Sequence, residues 1–252
     1  MLKTPSFHID GKSALIVGAS SGIGQACAVA IAQYGGNVTI VARNKDGLQQ
    51  THDMISEYGK KANIQIIDVT NIRELEDWVA SQHPFDIMVN AAGMARHSAA
   101  IDTKPSDFDD VCHLNLKSAY FLTRAVAKSL INAQKQGSLI NISSQMGHIG
   151  GIDRAVYAAT KHAIEGMTKS MAIEWGKHNI RVNTICPTFV RTPLAQQTFD
   201  NPERVAWIKE KIKLDRIAEV EDIMGVVVFL ASDASAMITG SAIMVDGGWT
   251  AG

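Results

Sequence analysis

Short apolar runs alternate along this chain with longer segments whose apolar residues recur at helical spacing. A short apolar run is typical of a buried strand, whereas apolar residues at every third or fourth position predict a helix. Alternating strands and helices predict a parallel sheet covered by helices on both faces, because each parallel pair needs a crossover connection. The predicted strands are 13–18, 37–42, 63–68, 85–90, 138–143, 180–185 and 242–247, and the predicted helices are 25–35, 46–59, 71–82, 106–134, 154–177 and 219–231.

No linker, internal repeat or low-complexity tract interrupts this alternation. We therefore predict a single α/β domain over residues 1–252. Segment 192–216 has no strand pattern, and we expect it to form a helical flap over the substrate.

Charge and composition restrict the partners of the chain. The formal net charge is −1 and there is no basic block, which argues against a nucleic-acid partner. The longest strongly apolar stretch, 223–231, is too short to cross a bilayer, so we expect no membrane partner. Cys27, Cys112 and Cys186 lie far apart, and neither they nor the eight histidines show metal-ligand spacing. We therefore expect no disulfide, no metal and a cytoplasmic location.

A glycine-rich loop, GASSGIG (18–24), follows the first strand directly and leads into a helix. At such a junction, backbone N–H groups can approach a pyrophosphate closely and the helix dipole stabilises its charge. The loop therefore predicts a dinucleotide site. A plain strand–helix turn is the alternative interpretation, because a glycine triplet alone is weakly specific.

The second strand ends in VARN (41–44), where an acid would bind the free ribose 2′-hydroxyl of NAD(H). Arg43 stands there instead. A guanidinium donates charge-assisted hydrogen bonds to a 2′-phosphate, so the sequence predicts NADP(H) as the favoured cofactor and NAD(H) as the weaker one. A solvated surface arginine is the alternative interpretation.

Tyr157 and Lys161 stand one helical turn apart, and Ser144 precedes them at a strand end. Reduction of a ketone leaves negative charge on oxygen, so a proton must be supplied there. An ammonium on the same helix face would stabilise the phenolate and let Tyr157 act as general acid and base. Ser144 can donate a hydrogen bond to the same oxygen, and Asn115 is a polar residue within an apolar helical pattern. A packed ring beside a solvated ammonium is the alternative interpretation.

Together these motifs closely resemble the short-chain dehydrogenase/reductase family, in particular its single-domain, 3-oxoacyl-carrier-protein-reductase-like members of about this length. The resemblance extends from 11–24 to 238–252, nearly the whole chain. It implies a Rossmann-type, doubly wound sheet of seven parallel strands. It also implies homotetramers built through the helices 113–134 and 154–177 and the last strand.

The resemblance also implies roles for individual residues. Asn115, Ser144, Tyr157 and Lys161 match the family's catalytic tetrad, in which the lysine also holds the nicotinamide ribose and the asparagine supports a proton-carrying water. The predicted cofactor site comprises Gly18, Ser20, Ser21, Gly22, Ile23 and Gly24 at the pyrophosphate, Arg43, Asp68 and Val69 at the adenosine, Asn90, Ala91, Ala92 and Gly93 after the fourth strand, and Pro187, Thr188, Val190 and Thr192 with Tyr157 and Lys161 at the nicotinamide.

Three positions depart from the family pattern: Val17, Ala91 and Thr188. The first two lie where the family ties its first and fourth strands together. We expect the polar tie to be replaced there by apolar contact, with the catalytic groups unaffected.

The sequence does not identify the substrate. The expected class is a small carbonyl or alcohol compound: either a 3-oxoacyl chain on a carrier protein or a small alcohol, polyol or sugar acid. A carrier reductase would show basic residues at the pocket mouth, for which Arg96, Arg154 and Arg191 are candidates. A non-catalytic dinucleotide sensor is the alternative from another functional class. The expected pocket lining is 94–97, 145–152, Phe189, Leu194 and Trp207, with His97 and His148 as groups able to contact a polar substrate.

Overall fold

A parallel sheet forms the centre of the molecule. The computed structural model describes residues 2–252, so Met1, the first residue of the predicted domain, lies outside it. The described residues form a seven-stranded sheet of order β3-β2-β1-β4-β5-β6-β7 in which all neighbours are parallel. The strands are β1 Ser13–Val17, β2 Asn37–Ala42, β3 Ala62–Ile66, β4 Ile87–Asn90, β5 Gly137–Ile142, β6 Ile180–Pro187 and β7 Ala242–Val245. The predicted doubly wound sheet is thus confirmed.

Helices cover both faces of this sheet. They are α1 Gly22–Gln33, α2 Lys45–Ser56, α3 Ile72–Ser81, α4 Pro105–Cys112, α5 Ala119–Asn132, α6 Ala155–Trp175, α7 Gln196–Phe199, α8 Pro202–Lys211 and α9 Glu221–Ala231. The helices α1, α2 and α9 contribute to the core of one face, and α3, α5 and α6 to that of the other. The single helix predicted over 106–134 is wrong in one detail: a π-helical segment, His113–Ser118, divides it into α4 and α5.

The central strands β1, β4, β5 and β6 are buried on both faces, which explains why they are continuous apolar runs. In β1, Ala14 and Ile16 pack into the core on the α1 side, whereas Leu15 and Val17 pack into the core on the α3 side. All four side chains are almost completely buried. Within residues 2–252, no helix combines the length and apolar character needed to span a membrane.

The order of the strands reverses between β1 and β4, because the chain builds the sheet outward in both directions from β1. Val17 at the end of β1 pairs with Val41 of β2 on one side and with Asn90 of β4 on the other. Open α/β sheets bind ligands in the crevice at the carboxyl ends of the strands at such a reversal. The glycine loop begins at this point.

Candidate active site

The glycine loop forms a close-fitting turn between β1 and α1. A Cβ atom on Gly18 would lie 2.6 Å from the Ala92 nitrogen, and one on Gly24 would lie 2.2 Å from the Gly18 oxygen. Only glycine therefore fits at these two positions. Ser21 precedes α1, and its side chain makes no capping hydrogen bond to the helix. Backbone N–H groups and the helix dipole thus remain available to an anion, and the loop fits a dinucleotide pyrophosphate.

Main-chain hydrogen bonds tie the loop to its neighbouring strands. The Ala91 N–H donates to the Val17 oxygen at 2.8 Å, and the Gly18 N–H donates to the Val41 oxygen at 2.8 Å. The Asn90 amide donates to the Asn141 side chain at 3.1 Å and accepts from the Ala92 N–H at 3.2 Å. At Val17 and Ala91 the connection between β1 and β4 is a backbone hydrogen bond, which needs no polar side chain, and the Val17 side chain packs in the apolar core.

Arg43 lies at the end of β2, on the adenosine side of the loop. Its side chain is 70% exposed, and its Nη1 lies 3.4 Å from the Asp68 Oδ2. Burial raises the pKa of Asp68, but hydrogen bonds from the Thr70 N–H and hydroxyl and the charge of Arg43 outweigh it and hold this pKa below its usual value. Such an exposed ion pair contributes little to stability, so the guanidinium can turn from Asp68 to a phosphate at small cost.

Asn115 lies within the π-helical segment His113–Ser118, which displaces it from regular helical register. Its amide oxygen accepts from the Met94 N–H at 2.8 Å, and its amide nitrogen donates to the Met94 oxygen at 2.9 Å. The same nitrogen lies 3.4 Å from the Thr160 hydroxyl on α6. The buried asparagine therefore joins the loop after β4 to the helix that carries Tyr157.

Tyr157 and Lys161 lie on α6, facing the ends of β4 and β5. The Lys161 Nζ donates to the Ile142 oxygen at 2.9 Å and lies 5.5 Å from the centroid of the Tyr157 ring. A Cβ on Gly93 would lie 3.5 Å from the Asn115 Oδ1 and 4.0 Å from the Lys161 Nζ, so both side chains border this glycine. Ser144 follows β5, and its hydroxyl accepts from the Met146 N–H at 3.1 Å.

A single cleft of about 580 Å³ connects these features. It extends from the glycine loop to Tyr157 and lies along the carboxyl ends of the strands. Of the predicted site residues, all but Asn90 and Asn115 line it: Gly18, Ser20, Ser21, Gly22, Ile23, Gly24, Arg43, Asp68, Val69, Ala91, Ala92, Gly93, Ser144, Tyr157, Lys161, Pro187, Thr188, Val190 and Thr192. Asn90 and Asn115 are buried directly behind the lining.

Known proteins resemble the chain over its whole length. A family sequence model described as enoyl-(acyl carrier protein) reductase matches residues 18–250. A 2-dehydro-3-deoxy-D-gluconate 5-dehydrogenase of Escherichia coli (strain K12) is 38% identical over 250 residues, covering 98% of each chain. A gluconate 5-dehydrogenase of Gluconobacter oxydans (strain 621H) is 33% identical over 248 residues, covering 97% of this chain and 96% of the relative. A crystal structure from Agrobacterium tumefaciens, described as a candidate 2-deoxy-D-gluconate 3-dehydrogenase with bound NADP, matches with a TM-score of 0.95 at 36% identity, covering 99% of this chain and all of that one.

The chain belongs to the short-chain dehydrogenase/reductase family. It is an oxidoreductase that interconverts a ketone and a secondary alcohol by hydride transfer with a nicotinamide cofactor. The non-catalytic sensor therefore has no support.

The substrate end of this short-chain dehydrogenase/reductase contains an arginine that the sequence alone could not place. The Arg154 Nη1 lies 2.6 Å from the His97 Nε2, and its guanidinium carbon lies 5.2 Å from the centroid of the Phe189 ring. Burial, together with the charge of Arg154, lowers the pKa of His97 to about 4. His97 is therefore neutral near pH 7, and a ring nitrogen can accept from Arg154. All three side chains line the cleft beside Tyr157.

The other two candidate mouth arginines are paired with acids on the surface. The Arg96 Nε lies 3.8 Å from the Asp107 Oδ1, and the Arg191 Nε lies 3.0 Å from the Glu219 Oε1. In the described part of the chain, neither lines the cleft. The three candidate arginines therefore do not cluster at this mouth.

Several expected pocket residues lie elsewhere. Met94, Ala95, Gln145, Met146 and Leu194 line the cleft as predicted, whereas Arg96, 147–152 and Trp207 are not among its described lining residues. Trp207 packs edge-on against Trp249, with 5.3 Å between the ring centroids. His148 turns toward α6 and β6, with its Nε2 3.8 Å from the Glu165 Oε2, so it does not face the substrate.

Proposed function

We propose that this protein is an NADP(H)-dependent dehydrogenase of sugar acids, which interconverts one secondary hydroxyl of the acid with the corresponding ketone. The observation that carries this proposal is Arg154, a partly buried cation that lines the cleft beside Tyr157. A guanidinium is well suited to a carboxylate, which it can hold by two parallel hydrogen bonds. The sugar-acid names of the relatives support the same substrate class.

We assign the proton chemistry to Ser144, Tyr157 and Lys161. NADP(H), when bound, supplies or accepts the hydride. The Ser144 hydroxyl donates a hydrogen bond to the reacting oxygen, and Tyr157 gives that oxygen a proton or takes one from it. The Lys161 charge stabilises the phenolate across the 5.5 Å that separate its Nζ from the Tyr157 ring centroid. Asn115 positions α6 against the loop after β4 through its bonds to Met94 and Thr160.

Specific chain groups would hold the cofactor in this assignment. The glycine loop and the start of α1 bind the pyrophosphate, and Arg43 binds the 2′-phosphate. Asp68 and Val69 border the adenine, and Lys161 also holds the nicotinamide ribose. All of these groups line the cleft, which supports one continuous binding site.

The role of Arg154 can be tested by removing its charge. In Arg154→Gln we expect kcat/KM for a sugar acid to fall roughly ten- to a hundredfold, because a charge-assisted hydrogen bond contributes about 1.5–3 kcal/mol. For the neutral polyol of the same carbon skeleton we expect little change, since it has no carboxylate to bind. Steady-state assays with D-gluconate and the matching alditol measure both values.

Arg191→Gln is the matched control, because Arg191 is an arginine paired with Glu219 outside the described lining of the cleft. It should leave both kcat/KM values near those of the unmodified protein. Equal losses on acid and polyol in Arg154→Gln would show a structural role and would refute carboxylate binding. A panel of alcohols and ketones with both cofactors tests the wider proposal, which fails if no sugar acid is turned over.

We propose that residues 1–252 form one domain and that segment 192–216 closes over the substrate. Val190 pairs with Ala218 at the base of this segment, and the Arg191 N–H donates to the Ala218 oxygen at 2.9 Å. The segment contains α7 and α8, and its Ile208 and Ile212 belong to a small apolar cluster that also includes Ile217. Its first residues line the cleft, so a bound substrate would lie against it.

If segment 192–216 closes over the substrate, ligand binding should protect this segment from protease. With NADP(H) and substrate present, trypsin should cleave at Lys209 and Lys213 at least about threefold more slowly, because closed flaps exclude water and other molecules from the site. Lys60 and Lys61, exposed before β3, provide an internal control that should be cleaved at an unchanged rate. Mass spectrometry of the timed digests separates the two sites. Equal slowing at both would indicate general stabilisation and contradict closure.

We propose that the protein is a homotetramer and works in the cytoplasm. Tyr120 on α5 and Ile173 on α6 are exposed apolar residues, and Ile173 is 83% exposed. Large exposed side chains on these two helices favour burial against other subunits. The three cysteines are free, which suits a reducing compartment. Light scattering gives the mass in solution, and a monomer at micromolar concentration would contradict the assembly.

A further inference from the structure

Three side chains of types that bind metals converge beside the turn after β5, outside the described lining of the substrate cleft. His148 follows the turn after β5, Glu165 lies on α6 and Cys186 lies near the end of β6. Their ligand atoms all lie within 4.8 Å of one another. The Cys186 Sγ is 3.5 Å from the His148 Nε2 and 3.4 Å from the Glu165 Oε1, and the His148 Nε2 is 3.8 Å from the Glu165 Oε2.

These separations are of the size found in a tetrahedral zinc site. Zinc binds cysteine sulfur at about 2.3 Å and histidine nitrogen or carboxylate oxygen at about 2.0–2.2 Å, so ligand atoms around it lie roughly 3.3–3.6 Å apart. The separation of 3.5 Å between the Cys186 sulfur and the His148 nitrogen lies within that range. These two atoms approach different oxygens of Glu165, at 3.4 and 3.8 Å, so a cation held by one of these oxygens requires the carboxylate to rotate.

The surroundings of the cluster hold its ligands in place. The Thr184 hydroxyl donates to the Glu165 Oε2 at 2.9 Å, an orienting contact typical of metal-binding carboxylates. The buried Ser143 hydroxyl makes no hydrogen bond of normal geometry within residues 2–252, and it lies beside the Cys186 thiol. The His148 side chain is 32% exposed, which gives a cation access from solvent.

We propose that His148, Glu165 and Cys186 bind one zinc-class divalent cation per chain. Binding joins the neutral His148 Nε2, the Glu165 carboxylate and the Cys186 sulfur to the metal, and the thiol proton leaves to solvent. The bound cation would tie the turn after Ser144 to α6 and β6. The ligands are far apart in sequence, since Cys186 follows His148 by 38 positions, so spacing alone predicted no metal.

Cobalt(II) tests the site without any measurement of turnover. The purified, chelator-treated protein should bind one Co²⁺ per chain and develop the near-ultraviolet thiolate-to-cobalt absorption together with visible bands of a tetrahedral centre. One equivalent of Zn²⁺ should remove both. Cys186→Ser should abolish the near-ultraviolet band, whereas Cys112→Ser, which changes a cysteine on α4 outside the cluster, should keep it.

His148→Gln provides a second variant that the fold should tolerate, because this side chain is partly exposed. We expect it to weaken Co²⁺ binding at least about tenfold, since even residues that only support metal ligands change affinity by about ten- to a hundredfold. Circular dichroism confirms that each variant is folded. Absence of the thiolate band in the unmodified protein, or its persistence in Cys186→Ser, would overturn the proposal. Neither result depends on which substrate the enzyme uses.

Discussion

Replacing Tyr157 with phenylalanine should lower turnover at least about a hundredfold, the usual scale for a general acid–base group. The phenol is the proton donor in our assignment, and the variant removes only its oxygen. The ring contacts remain, including the edge-on packing against His97 at 6.4 Å between centroids. Fold and NADP(H) binding should therefore be preserved. Single-turnover measurements of NADPH oxidation with a keto acid report the chemical step directly.

Tyr58→Phe is the matched control for this variant, because Tyr58 follows α2 and its side chain is exposed away from the cleft. It should keep the rate of the unmodified protein. A folded Tyr157→Phe protein that turns over at a near-normal rate would refute the proton-transfer role. Fluorescence titration with NADPH separates this outcome from a loss of cofactor binding.

The fold was predictable because each strand of a doubly buried parallel sheet must be apolar on both faces. The run that became β1 supplies side chains to both cores, as a strand covered by helices on both faces must. Boundaries were less certain. The strand predicted from residue 85 begins at Ile87, because Asp86 uses its carboxylate to accept from the Ser13 N–H and the Lys135 ammonium.

The site was predictable only in part, since its residues come together through the fold. The glycine loop and the Tyr157–Lys161 pair are local patterns, and each can be recognised from a short stretch of sequence. The contact of Arg154 with His97 joins positions 57 residues apart, and no local spacing shows it. The π-helical segment at Asn115 was also missed, because an apolar pattern interrupted by one polar residue does not distinguish it from a regular helix.

A change of two adjacent residues should reverse the cofactor preference. We expect the unmodified protein to favour NADP(H) over NAD(H) roughly ten- to a hundredfold in kcat/KM, from one charge-assisted contact between Arg43 and the 2′-phosphate. In the variant Ala42→Asp/Arg43→Gln, NAD(H) should become the better cofactor. The new carboxylate accepts from the free ribose 2′-hydroxyl and repels a 2′-phosphate. Both positions line the cleft at the end of β2.

The surroundings of Arg43 favour a moderate, not a strict, preference for NADP(H) over NAD(H). Arg43 is largely exposed and pairs with Asp68. Binding the 2′-phosphate breaks this ion pair, which reduces the net free energy gained from the phosphate contact. Arg73→Gln is the control: this exposed arginine on α3 pairs with Asp77 and should leave the cofactor ratio unchanged. Measuring kcat/KM with NADPH and NADH for all three proteins decides the matter. If the unmodified protein works better with NADH, Arg43 points into solvent and its assignment to the 2′-phosphate is wrong.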